Sequence, residues 1–245
     1  MNSVNSALAT ELVEAIERLD SDDGLSVGVL AGAGRGFSSG MDLKAFLAEG
    51  PPARFGDFIV NGSRKPLIAA IEGFALAGGL EIALTCDLLV AAKGAKLGIP
   101  EVGVGLFAAG GALVRLPRVV PFGVAMELAL TGDPIRAEQA FEYGLVSRLT
   151  EPGEAVNEAL ALAERIARNA PLSIAASKVL LREAGGRTEA EFWDVQRSYE
   201  RTVFTSDDAK EGPRLPRNGR PTGRDAEQVA GSSSLSGVIC ETRRP

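Results

Sequence analysis

Two glutamates and a pair of glycines are the residues whose types and spacing can do chemistry. Gly78-Gly79 stands where an apolar strand-like run, Pro66 to Glu72, and its following turn give way to an apolar helical start at Leu80. Glycines at such a junction let backbone N–H groups approach a ligand closely, at the positive end of a helix. That arrangement can stabilise a developing oxyanion. Close helix–strand packing uses the same residue type, and spacing alone leaves both roles open. Glu81 follows in Leu80-Glu-Ile-Ala-Leu-Thr-Cys86. An acid in an apolar helical start either caps the helix or sits in a site that raises its pKa. Glu101 lies in Gly98-Ile-Pro-Glu-Val-Gly-Val-Gly105, again among apolar and glycine residues. Two acids in apolar settings suit general acid–base work without histidine. Taken by themselves, two exposed acids at element ends are the simpler account.

The chain has no histidine, which removes His-based triads, His metal ligands and imidazole proton shuttles together. Acid–base chemistry falls to Asp, Glu, Lys, Tyr, Cys or a bound metal. Cys86 and Cys240 cannot make a zinc site alone and suggest no disulfide framework. Cys86, in an apolar stretch, reads as packing rather than a nucleophile. Arg115 and Arg118 could meet phosphate, but solvated helix-end charges account for them as well. Gly32-Ala-Gly-Arg-Gly36 follows a strand, yet its third glycine comes one position early for a dinucleotide fingerprint, and position 37 is Phe. No Gly-Lys-Ser/Thr follows, so it is not a P-loop. A tight turn accounts for these glycines.

The elements that must position these residues read as α/β. The chain has 245 residues, 45% hydrophobic and 24% charged, ordinary for a soluble globular protein. Its net charge of −6 argues against a partner rich in phosphate, such as nucleic acid. No apolar run approaches the roughly 18 residues of a membrane span, and the N-terminus lacks a secretory pattern, so a cytoplasmic location is expected. Periodicity predicts a helix over 5–20, strands at 25–31, 66–72, 88–92 and 96–99, and a buried helix over 80–86. Residues 51–63 read as a mobile loop. Helices follow at 122–130, 136–143, 153–169, 172–184 and 188–204, with a last strand over 145–149. Residues 213–245 differ: six arginines against Asp225, Glu227 and Glu241 give +3, with Pro, Gly and Ser between. That composition predicts disorder.

Several segments together resemble the crotonase (enoyl-CoA hydratase/isomerase) superfamily over roughly residues 3–212. Gly36-Phe-Ser-Ser-Gly-Met-Asp-Leu-Lys-Ala-Phe46 is similar to the family's F-x-(A/S)-G-x-D-L segment. Ile68-Ala-Ala-Ile-Glu-Gly-Phe-Ala-Leu-Ala-Gly-Gly-Leu-Glu-Ile-Ala-Leu-Thr-Cys-Asp87 is similar to its Gly-Gly signature, and Leu97-Gly-Ile-Pro-Glu-Val-Gly-Val-Gly105 to a third. Leu130-Thr-Gly-Asp133, Ala140-Phe-Glu-Tyr-Gly-Leu-Val146 and Asp207-Asp-Ala-Lys-Glu-Gly212 match later landmarks in the same order. The resemblance implies a spiral of ββα turns over 1–130 and a helical C-terminal trimerisation region over 131–212, with the tail from 213 atypical. It implies an acyl-CoA thioester substrate and a homotrimer or hexamer acting in fatty acid metabolism. The implied oxyanion hole is the N–H of Met41 and of Gly78. The implied catalytic pair is Glu81 and Glu101. Ser39, Asp42, Lys44 and Gly79 are implied to line the substrate, with Lys44 toward the coenzyme A phosphates. The implied reaction is hydration of a 2-enoyl-CoA, needing no metal or nicotinamide. Isomerisation of an enoyl-CoA, hydration of crotonobetainyl-CoA and a non-catalytic CoA-binding or assembly role are the other readings.

The chain departs from that pattern at both ends. Relatives carry a β-hairpin, closed by a turn such as N-R-P, ahead of the first helix; its absence predicts an unpaired sheet edge. After Glu211-Gly212 relatives continue as A-F-x-E-K-R, whereas Pro213-Arg-Leu-Pro-Arg stands here, suggesting a shifted reading frame from about residue 214. Ala108-Ala109-Gly110-Gly111 lacks the family's usual proline.

Overall fold

The computed structural model describes residues 1–42, 44, 45, 48, 50 and 54–211, together with the backbone of Ile239–Arg243. Helix α1 (Ser6–Ser21) starts at Asn5, whose side chain accepts a hydrogen bond from Leu8 N–H at 2.9 Å. Ala9, Leu12, Val13, Ile16 and Leu19 bury the apolar stripe that the sequence predicts. Strand β1 (Leu25–Ala31) follows after the Ser21–Gly24 turn. Helix α2 (Phe55–Asn61) then occupies most of the segment expected to be a mobile loop. Its seven residues are too few to display helical periodicity, and Phe55 and Phe58 bury to hold it against the core. Residues 51–53 of that expected loop lie outside the described residues.

The next segments repeat. Strand β2 (Leu67–Ile71), strand β3 (Phe74–Leu76) and helix α3 (Gly78–Thr85) make one turn. Strand β4 (Leu88–Ala92), strand β5 (Lys96–Gly98) and a 3₁₀ turn at Pro100–Val104 make the next. This is the strand–strand–helix repeat that the resemblance implies. Between β2 and β3 the chain bends at Gly73, with φ at +55° and no room for a side chain: a Cβ there would lie 2.1 Å from the Arg35 carbonyl oxygen. Helix α4 (Ala112–Val119) and helix α5 (Phe122–Thr131) follow, then strand β6 (Ile135–Arg136) and helix α6 (Ala137–Glu142). Strand β7 falls at Arg148–Thr150, later than the 145–149 expected. Leu145 and Val146 are buried, but before the strand. Helices α7 (Ala155–Ala167), α8 (Pro171–Ala184), α9 (Glu189–Phe204) and α10 (Asp207–Glu211) complete the run.

Two sheets result. One has five strands in the order β7-β4-β2-β1-β8, where β8 is Ile239–Arg243; the other has three in the order β3-β5-β6. The pairs β1–β2, β2–β4 and β4–β7 are parallel, and β8 is antiparallel to β1 with Cys240 opposite Val29. The expectation of disorder over 213–245 therefore fails at Ile239–Arg243, and so does the expectation of an unpaired edge. Both fail because an exposed strand edge is a template for any extended segment that reaches it. Residues 212–238, 244 and 245 lie outside the described residues.

Each face of the larger sheet has its own core, because side chains alternate along a strand. Leu67, Ala69 and Ile71 of β2 face a large cluster with α1, α2 and α3. Ile68 and Ala70 face a second cluster with Val27, Val29 and Val90. Ala155, Ala159, Ala163 and Ala167 of α7 close it, one small residue every four, which lets the helix lie close on the strands.

Candidate active site

The first four residues brace the loop that carries Met41. Val4 N–H donates to Gly40 O at 2.8 Å, and Asp42 N–H donates to Val4 O at 2.9 Å. These two bonds straddle Met41, so its own N–H points to the opposite side. Asn2 Nδ2 donates to the carbonyls of Ala33, Gly36 and Phe37 at 2.9–3.0 Å, and Ser38 Oγ donates to Asn2 O at 2.7 Å. Facing Met41 is the start of α3. Gly78 is the first helical residue there, and its N–H has no partner within the helix. A Cβ built on Gly78 would lie 3.4 Å from the Met41 nitrogen, and one on Gly40 would lie 2.7 Å from the Gly78 nitrogen. The two amides are thus neighbours, and neither donates to another of the described residues. Ala77, immediately before, has φ 52° and ψ −132°, a conformation that L-residues rarely adopt. Strain of that kind is held only where the surroundings over-determine it: Ala77 N–H donates to Gly98 O at 2.9 Å, and its carbonyl accepts from Leu80 and Glu81 N–H. The two glycines divide the roles that spacing left open. Gly79 is a packing residue, since a Cβ there would sit 2.3 Å from Ser38 O, whereas Gly78 presents its N–H.

Glu81 lies in the first turn of α3 and is only 6% exposed. Its Oε1 accepts from Ala112 N–H at 3.2 Å, and Gly110 N–H also donates to the carboxylate. A Cβ at Gly110 would meet Glu81 Oε2 at 2.5 Å, so a side chain there would displace the carboxylate. Burial raises the Glu81 pKa above the ordinary carboxylate range, opposed by the two amides and by the Arg115 guanidinium. Glu101 sits on the 3₁₀ turn after Pro100. Its Oε2 is buried and makes no hydrogen bond among the described residues. Burial raises its pKa too, and the nearby Glu81 carboxylate raises it further. The structure therefore brings the two acids together in one site. Both acids keep raised pKa values, but Glu81 has two amides and a cation to hold its charge. Glu101 has its own backbone N–H alone for support, a neighbouring anion and an oxygen with no partner among the described residues. Beside paired amide donors, such a set can hold a carbonyl oxygen and move protons at a neighbouring carbon.

The other expected site residues take varied places. Ser39 N–H and Oγ both donate to Met1 O at 3.2 Å, so its polar groups brace the N-terminus. Asp42 Oδ1 accepts from Lys44 N–H at 3.0 Å and Ala45 N–H at 3.2 Å, closing the turn after Met41. Lys44 is exposed just beyond that turn. Cys86 is buried, and burial pushes its thiol pKa up, consistent with packing. Arg115 corrects an expectation: it is half-buried, with its guanidinium against backbone carbonyls of α2 and of Gly110, not a solvated helix-end charge. Val4 and Ala112 act through their backbones and Asn2 through its side-chain amide and its carbonyl, and no residue pattern in the sequence signals them. Among the described residues no group of three or more His, Cys, Asp or Glu could hold a metal ion, and no helix is long and apolar enough to cross a membrane.

Comparison with known proteins agrees with this fold. Residues 1–215 match the enoyl-CoA hydratase/isomerase family, and the chain belongs to it. It is 41% identical over 228 residues to the enoyl-CoA hydratase EchA19 of Mycobacterium tuberculosis, covering 86% of this chain and 85% of that protein. It is 42% identical over 190 residues to the (E)-benzylidenesuccinyl-CoA hydratase of Thauera aromatica, covering 73% of each. The crystal structure of enoyl-CoA hydratase EchA1 from Mycobacterium marinum superposes with a TM-score of 0.84 at 49% identity over 90% of both chains. The fold is thus the mixed α/β crotonase fold.

Proposed function

We propose that this chain hydrates 2-enoyl-CoA thioesters by syn addition of water. The observation that carries this reading is the pairing of buried Glu81 with half-buried Glu101, beside the neighbouring amides of Met41 and Gly78. The thioester carbonyl oxygen accepts from both N–H groups, which stabilise the charge that gathers there as water adds; each such donor is worth about 3 kcal/mol. Glu81, with two amides and a guanidinium supporting its negative form, accepts a proton from the attacking water as the oxygen bonds to the β-carbon. Glu101, whose pKa is raised by burial and by the Glu81 carboxylate, gives its proton to the α-carbon. Two glutamates in unlike surroundings supply the base and the acid together. Lys44, exposed beyond the Met41 turn, is the residue for the coenzyme A phosphates. An isomerase would move a 3-enoyl double bond without adding water, and a single dominant glutamate would serve it; two converging acids favour hydration.

The test is hydration of crotonyl-CoA by the purified chain, followed as loss of the conjugated enoyl absorbance. Glu101→Gln and Glu81→Gln should each lower kcat by about 100-fold or more while leaving binding of a CoA thioester product nearly unchanged. Equal rates in wild type and Glu101→Gln would defeat the assignment. A folded wild type that isomerises 3-enoyl-CoA but hydrates nothing would replace it with the isomerase reading.

A further inference from the structure

The Glu81 carboxylate is held by backbone amides of the glycine loop that leads into α4. Gly110 and Gly111 carry the peptide groups around it, and Gly111 has φ +99°. Two adjacent glycines without side chains of their own need an outside support to stay in one conformation. That support is Arg115, one turn into α4. Its Nη1 donates to Gly110 O at 3.1 Å, fixing a residue whose N–H donates to Glu81. The guanidinium packs so closely on the loop that a Cβ at Gly111 would meet Nη1 at 2.5 Å.

Arg115 is itself gripped from the far side. Its Nη2 donates to Ile59 O and, at 3.3 Å, to Val60 O. These carbonyls end α2, where a helix has acceptors without internal partners and a partial negative charge. The fork shape of a guanidinium is what spans the two sites; an ammonium cannot reach both in fixed geometry. Thr85 Oγ1 reaches the same Ile59 carbonyl at 3.5 Å and donates to Glu81 O at 2.9 Å. Arg182 of α8 closes the end of α2 through Asn61 O at 3.0 Å.

We infer that Arg115 is a positioning residue: anchored on the last carbonyls of α2, it fixes the loop whose amides hold Glu81, and so determines which of the two glutamates takes the proton of water. The identity of that proton rests on the hydratase reading, but the placement of Arg115 does not. The charged groups around Glu81 are Arg115 from α4 and Glu101 from the 3₁₀ turn. Around Arg115 stand Arg182, Arg118 and the neutral thiol of Cys86. Arg115 is thus the cation that faces Glu81, which its charge stabilises in the ionised form.

The experiment reads Glu81 directly, by carbon-13 NMR titration of glutamate-labelled protein, with its resonance assigned through Glu81→Gln. In Arg115→Met, Glu81 should titrate at a higher pH than in wild type. The acid limb of kcat for crotonyl-CoA should move up with it, and kcat should fall about tenfold or more with KM changed far less. Arg115→Lys restores charge without the fork, so it should recover most of the titration but not kcat. Arg182→Met, which loosens the same end of α2 without facing Glu81, should lower Tm and leave the Glu81 titration in place. An unmoved Glu81 titration in Arg115→Met overturns the inference. If that variant does not fold, a wild-type kcat in Arg115→Lys overturns it. A shifted titration in a chain whose wild type hydrates no enoyl-CoA keeps the inference and removes the hydratase reading.

Discussion

At the scale of single residues, the site trades stability for chemistry at Glu101. Its carboxyl is partly buried, one oxygen has no partner, and a second carboxylate stands close by. Burial and the second carboxylate, opposed by its own backbone N–H, raise its pKa in the folded chain above the value of about 4.3 expected when unfolded. The sign follows: below the unfolded pKa both states are protonated and nothing is lost. As pH rises past that value the unfolded chain ionises first, and the folded state loses stability until its own pKa is passed. Glu101→Gln removes this burden, so it should raise Tm at neutral pH, with the gain shrinking as pH falls toward 4. Thermal melts of both proteins across that range check it; a gain independent of pH would mean that packing, not ionisation, is responsible. The two glutamates were visible in the sequence as acids in apolar settings, and their pairing came from the resemblance. What was not visible is why they differ. Gly110, Ala112 and Arg115 touch Glu81 from 29 or more positions away along the chain, and no local pattern encodes that contact.

At the scale of elements, the long periodic segments were the legible ones. Helix α1, strands β1, β2 and β4, and helices α8 and α9 stand within two residues of where periodicity puts them. Among the short ones, α3 and β5 were read but α2, α4 and β3 were not: seven, eight and three residues give about two turns or one alternation, too little pattern to stand out. These same short elements build the site, because α2 anchors Arg115, α4 opens at the Glu81 loop and β3 feeds into Gly78. Helix α7 shows the opposite case, a strong pattern whose meaning is spacing. Ala163, fully buried against the valines and isoleucine of the sheet, sets how near the helix lies. Ala163→Leu adds volume where there is none, and should cost about 1–3 kcal/mol. Urea unfolding would register it as a lower midpoint at unchanged slope. An unaffected midpoint would mean that α7 can back away from the sheet freely.

At the scale of the whole molecule, the larger sheet is extended past β1 by residues distant in sequence. Strand β8 takes the antiparallel position beside β1, with Leu30 opposite Ile239 and Leu25 opposite Arg243. Ending the chain at residue 238 would reopen that edge, and open edges recruit other chains. Size-exclusion chromatography should then show soluble aggregates growing with concentration, against a stable profile for the full chain; identical profiles would show that β8 is dispensable. Composition gave no hint of this strand, since five residues after a Ser- and Gly-rich stretch carry no alternation long enough to read. The pairing also sets a timetable for synthesis. From Ala31, the end of β1, to Ile239, the start of its partner, a ribosome adding 5–20 residues per second needs roughly 10–40 s. For that interval the nascent chain holds a finished strand without its neighbour. Among the described residues the last strand to be made is the one that covers β1, so slow translation of the intervening helices prolongs the chain's dependence on chaperones.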